Sequence, residues 1–169
     1  AELQKAGADC IINISASPYH ELRLQERLGL IQHKVRETGL PFYYCNLVGA
    51  QDELIFDGQS LAVNGSGDVI GLGTIFSEEI IYVDSDSANK FDLTDEDREG
   101  EMVAALVLGV QDYFRKTGYK EAVIGLSGGI DSSLVACIAV DALGKENVHG
   151  VSMPSVFSSE HSKDDAKQL

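Results

Sequence analysis

The hydrophobic pattern changes period several times along the chain. CIINISAS, Cys10–Ser17, is apolar with weak alternation and predicts a mostly buried strand. From Glu21 the period becomes helical. Leu22, Leu28, Ile31 and Val35 recur on one side until Gly39 and Pro41 stop the run. PFYYCNLVG, Pro41–Gly49, is rich in aromatic and β-favouring residues and predicts a second strand. Glu53–Gly71 predicts a hairpin turning at Asn64–Gly65–Ser66–Gly67, and Glu78–Asp86 one further strand. This first half is therefore an α/β layer with antiparallel additions.

The composition turns polar over 85–92, as a linker would. Thr94 then predicts the cap of a long helix. Asp95, Glu96, Asp97, Glu99 and Glu101 crowd its first turns, where negative charge suits the exposed N–H groups. Val103, Leu106, Val107, Val110 and Phe114 mark its apolar face, and Gly118 its end. A compact βαβ unit follows: strand Glu121–Leu126, turn Ser127–Ile130, helix Asp131–Leu143 and strand Val148–Pro154. Its turn lies at the carboxyl end of a parallel sheet, where open sheets bind ligands.

Composition narrows the class. The 169 residues are 44% hydrophobic and carry a net charge of −14. That charge disfavours a nucleic-acid partner, which calls for a basic footprint. A nucleotide remains compatible, because backbone N–H groups and cations grip it locally. No apolar run is long enough for a membrane span, and the opening AELQKAGADC has no signal-peptide pattern. Cys10, Cys45 and Cys137 are odd in number and widely spaced, and they read as small buried hydrophobes in a reducing, cytoplasmic setting.

The candidate chemistry lies in GLSGGIDSS: Gly125, Leu126, Ser127, Gly128, Gly129, Ile130, Asp131, Ser132 and Ser133. Glycines between a strand and a helix N-terminus let backbone N–H groups approach an anion closely. Ser127, Ser132 and Ser133 add hydroxyls. Asp131 would repel a polyphosphate unless a cation lay between them, so it reads as a ligand for Mg²⁺ that also holds the phosphate. Neither a dinucleotide GxGxxG nor a GK[ST] lysine is present.

SGGIDSS closely resembles the SGGxDS loop of the ATP pyrophosphatases, which attack the α-phosphate of ATP and release pyrophosphate. GVSMPSVFSSEHSKDDAKQL, Gly150–Leu169, resembles the corresponding segment of the glutamine-dependent NAD⁺ synthetases. That resemblance places Met153 beside the adenosine. From the residues alone Met153 is also simply an apolar strand-end residue. Val156 stands where the family often has arginine. Gly7–Arg27 and Tyr43–Ile70 resemble the later part of a nitrilase-type amidase domain, an αββα sandwich that in these synthetases hydrolyses glutamine to supply ammonia.

The resemblance implies an α/β chain: residues 1–88 from the amidase sandwich, then 89–169 opening a Rossmann-like ATP-pyrophosphatase domain with its first βαβ. The implied substrates are ATP with Mg²⁺, deamido-NAD⁺ and L-glutamine, with self-association of the full protein as the expected assembly. Ser17 and Arg23 match the family's glutamine contacts; otherwise they read as a turn hydroxyl and a helix charge. Phe56–Asp57–Gly58 matches a structural step. The amidase nucleophile, glutamate and lysine match no position here, since neither Cys10 nor Cys45 has the Cys-Glu-Asp setting; they are expected upstream of Ala1. Two other readings stay open: another member of the ATP-pyrophosphatase group, such as a GMP or argininosuccinate synthetase or another amidotransferase, and a catalytically incomplete binding or assembly segment.

Overall fold

The structure, a computed structural model, describes residues 2–84, 91, 97–155 and 159–169. It divides into two units, Ala1–Ala105 and Leu106–Leu169. The linker expected over 85–92, apart from Phe91, lies outside the described residues, as do the 88/89 division, Thr94 and Val156.

In the first unit, a short helix α1 (Glu2–Lys5) precedes β1 (Ile11–Ser15), α2 (Arg23–Thr38) and β2 (Phe42–Asn46). Then come β3 (Val48–Gln51), β4 (Leu54–Asp57), β5 (Leu61–Val63) and β6 (Val69–Leu72). One sheet has the order β1-β2-β5-β6, with β1 parallel to β2 and the other pairs antiparallel. The register sets Phe42 opposite Val63 and Tyr44 opposite Leu61. Alternate side chains thus share a face. Phe42, Tyr44, Leu61, Val63 and Val69 form the core with Ile31 and Val35 of α2.

Period 2 on the strands meets helical spacing on α2, so one buried layer joins sheet and helix. Gly39, in the left-handed conformation, ends α2 by donating its N–H to Val35 O. Gln32 of α2 donates to Gly67 O at 2.9 Å, tying the helix to the hairpin turn. In that turn Asn64 Oδ1 accepts from the N–H groups of Ser66 and Asp68, at 3.0 and 2.9 Å.

Several expectations change. β1 is not mostly buried: Ile12 and Ile14 are 68% and 84% exposed. They pair with Tyr43 and Cys45, on the sheet face turned away from α2. The predicted hairpin is narrower, because β4 pairs with β3 and only β5 and β6 flank the NGSG turn. Residues 78–84 form no strand. Ile81 and Val83 instead lie over Gly71, whose missing Cβ leaves them room. Leu22 precedes α2 and is partly exposed. Cys45 and Cys137 are exposed and Cys10 half-buried; all three are free thiols.

The division between units falls inside α3 (Arg98–Thr117). Asp97 Oδ1 accepts from Gly100 N at 2.9 Å, a capping bond at its start. None of its five predicted apolar-face residues is buried; its buried residues are Ala105 and Asp112. In the second unit β7 (Ala122–Gly125), α4 (Ile130–Leu143) and β8 (Val148–Val151) form the expected βαβ. β7 and β8 pair in parallel from Ala122–Val148 to Gly125–Val151, and α4 lies against both. α5 (Glu160–Gln168) follows, capped by the Ser159 side chain on Ser162 N.

Candidate functional site

The glycine loop leaves the carboxyl end of β7 and enters α4. Leu126 N donates to Val151 O at 2.9 Å, carrying the ladder one residue beyond the strands. The loop then turns at Gly128, whose φ of 78° suits glycine. The Ser162 carbonyl at the start of α5 occupies the space a Gly128 Cβ would need. Two independent constraints therefore select glycine there, one torsional and one steric. Gly129, extended at φ −97°, is the residue before α4.

The serines brace this turn. Ser127 Oγ accepts from Gly129 N at 3.2 Å and lies 3.0 Å from Ser132 Oγ. Ser132 and Ser133 each donate a hydroxyl to Gly129 O at 3.0 Å. With Ser132 donating there, the Ser127 hydroxyl donates to Ser132. The loop is thus held by its own side chains. The first amides of α4 have no acceptor within the helix and carry its positive dipole end.

Asp131 stands exposed in the first turn of α4. Among the described residues no three His, Cys, Asp or Glu side chains gather to hold a metal. A lone carboxylate nevertheless fits Mg²⁺, which often binds through one or two carboxylates and the substrate's phosphates. Met153, beyond β8, is 77% exposed, and its Cε lies 3.5 Å from the position of a Cβ on Gly125. It is therefore no core residue but an apolar side chain on the rim next to the loop.

A second site lies in the first unit. Ser17 and Arg23, six residues apart, meet: Ser17 Oγ accepts from Arg23 Nε at 3.1 Å and from Nη2 at 2.8 Å. Arg23 Nη1 also contacts His20 Nε2 and Glu26 Oε2, both at 3.2 Å. Ser17 and Arg23 line a cavity of about 340 Å³ with Asn13, Ser15, Arg27 and Tyr44. Arg27 is neutralised by Asp57 and Lys34 is paired with Glu37, so the group suited to a ligand carboxylate is the Arg23 guanidinium, whose acidic partner Glu26 is exposed.

Behind this cavity is an ion pair that the hydrophobic pattern overlooked. Arg27 grips Asp57 with two bonds of 2.9 Å, and both side chains are buried. The guanidinium lies 5.0 Å from the Tyr44 ring centroid. Arg27 Nε is buried with no hydrogen-bond partner among the described residues. The signal for Arg27 was its spacing: it precedes Ile31 and Val35 by one and two helical repeats, so it falls on the buried stripe. Nearby, burial raises the Tyr19 pKa, with the Glu101, Asp57 and Glu21 charges and a hydrogen bond to Glu101 adding to it.

Known proteins resemble this chain over nearly its whole length. The NAD synthase family model matches residues 102–169. A glutamine-dependent NAD(+) synthetase of Synechocystis is 47% identical over 99% of this chain and 31% of its own length. That of Thermotoga maritima is 42% identical over 96% of this chain and 35% of its own length. The chain thus spans about a third of these relatives. The solved glutamine-dependent NAD+ synthetase of Acinetobacter baumannii, in complex with adenosine diphosphate, superposes with a TM-score of 0.85 at 33% identity, covering 98% of this chain and 32% of that one. Sequence and fold together, across both units, match this chain to the family of the glutamine-dependent NAD(+) synthetases.

Proposed function

We propose that this chain works as part of an enzyme that makes NAD⁺ from deamido-NAD⁺, ATP and glutamine. The observation that carries this reading is the Gly128–Asp131 turn, shaped by two constraints and set where a strand feeds a helix N-terminus. The α4 amides hold the pyrophosphate part of ATP, while Met153 packs at the adenosine side. Asp131 would hold Mg²⁺, which when bound offsets the charge of the phosphates. The nicotinate carboxylate of deamido-NAD⁺ bonds to the α-phosphorus as the bond to pyrophosphate breaks. Ammonia then attacks the acyl carbon, AMP leaves, and the amide of NAD⁺ remains.

The first unit serves the nitrogen supply. Ser17 and Arg23 bind glutamine, Arg23 through the α-carboxylate. The whole protein acts in the cytoplasm, self-associates, and takes small molecules as its partners. The ATP and glutamine roles are supported by the solved relative with bound adenosine diphosphate and by the glutamine-dependent relatives that match both units.

The test is an assay of the full-length protein with ATP, Mg²⁺ and deamido-NAD⁺, given either glutamine or ammonia. NAD⁺, AMP and pyrophosphate should form in equal amounts with both nitrogen sources. Release of ADP and phosphate, or AMP formation uncoupled from NAD⁺, would refute the reading.

A further inference from the structure

The geometry points to Asn46 as a positioning residue for the glutamine pocket, acting through the backbone of Ser17 and anchored by the buried Asp57–Arg27 pair. This rests on the reading above that Ser17 and Arg23 hold glutamine. Asn46 is buried at the end of β2. Its Oδ1 accepts from Ser17 N at 2.8 Å, and its Nδ2 donates to Ser17 O at 3.2 Å. One side-chain amide therefore clamps both backbone groups of the residue that precedes Pro18.

The amide has one workable orientation. Nδ2 also donates to Asp57 Oδ1 at 3.1 Å, so a flip would set Oδ1 against a carboxylate and a carbonyl at once. Asp57 cannot drift, because Arg27 holds both its oxygens. The Asn46 backbone is fixed in turn by its N–H on Ser60 Oγ at 3.1 Å. Position thus passes from the buried pair to Asn46, then to Ser17, and finally to the Arg23 guanidinium on Ser17 Oγ. With two N–H groups directed at that oxygen, the Ser17 hydroxyl hydrogen is left to donate to a third partner, such as an amide carbonyl. Asn46 itself is absent from the lining of the cavity, so its influence is indirect.

The experiment is a double-mutant cycle in the full-length protein, with glutamine affinity read by calorimetry and melting temperature read beside it. Asn46→Ala should weaken glutamine binding about tenfold, the scale of one buried polar contact. In a Ser17→Ala background the same change should weaken it less than about threefold, since the group it positions is gone. Equal losses in both backgrounds, or unchanged affinity in a variant with a lowered melting temperature, would overturn the proposal and leave Asn46 a packing residue. Should Asn46→Ala not fold, Asn46→Ser, too short to span both Ser17 groups, takes its place with the same two expectations. If Ser17→Ala alone leaves glutamine affinity intact, the glutamine reading itself fails, an outcome separate from an inert Asn46.

Discussion

At the scale of single residues, the sharpest expectation concerns the two loop glycines. Gly128→Ala meets an unfavourable φ of 78° and the Ser162 carbonyl together. The left-handed conformation alone costs about 1–2 kcal/mol. Gly129→Ala meets only Ser127 Oγ at 3.3 Å, a hydroxyl able to shift. Thermal melts without nucleotide should show Gly128→Ala well below wild type and Gly129→Ala close to it. Equal effects would mean that α5 does not sit on the loop as described. For the buried pair, Arg27→Met strands the Asp57 carboxylate, and urea titration should show a loss of about 3–5 kcal/mol. Tyr19 supplies a pH signature. Its pKa is raised on folding, so its contribution is complete below the ordinary tyrosine value and lost as pH rises through the folded one. Tyr19→Phe should therefore flatten the alkaline fall in melting temperature above about pH 10.

At the scale of elements, α2 and the β5–β6 hairpin were readable because each has a stop signal of its own: Gly39 for the helix, Asn64–Gly67 for the turn. Their shared core should be brittle. Leu61 is 2% exposed, and Leu61→Ala should cost about 2–5 kcal/mol, measured by denaturant unfolding. The misread elements lacked such local signals. Residues 78–84 hold the β-favouring apolar run Ile80–Val83, but such a run says only that its side chains suit a sheet. Here the inward face lies across Gly71 and finds no ladder partner. β1 was read as buried from its composition, yet its second face is open.

At the scale of the whole chain, two units carry two kinds of site, and the proposed chemistry divides between them. In the full-length protein Asp131→Ala should abolish NAD⁺ synthesis with either nitrogen source while glutamine hydrolysis remains measurable. Loss of both activities in a folded variant would contradict that division. The chain on its own exposes large apolar side chains, among them Ile12, Ile14, Val123, Ile130, Leu134, Val135 and Met153. The isolated 169-residue chain should therefore bind an apolar dye strongly and scatter light as it self-associates. Weak dye binding by a monomer would show those surfaces covered in solution. Among the described residues no helix is long and apolar enough to cross a membrane.

From residue order alone came the βαβ unit and the glycine turn at its head. Each depends on neighbours close along the chain: a period, a stop signal or a short string whose chemistry is local. Ser17 and Arg23 stand out through a family resemblance, and their contact came with the fold. The Arg27–Asp57–Asn46–Ser17 network, the seat of Ser162 on Gly128 and the exposure of β1 and of two cysteines came only with the folded chain. They join residues 11 to 34 positions apart, or depend on which sheet face a helix covers. Such pairings arise from packing, which hydrophobic periodicity does not encode.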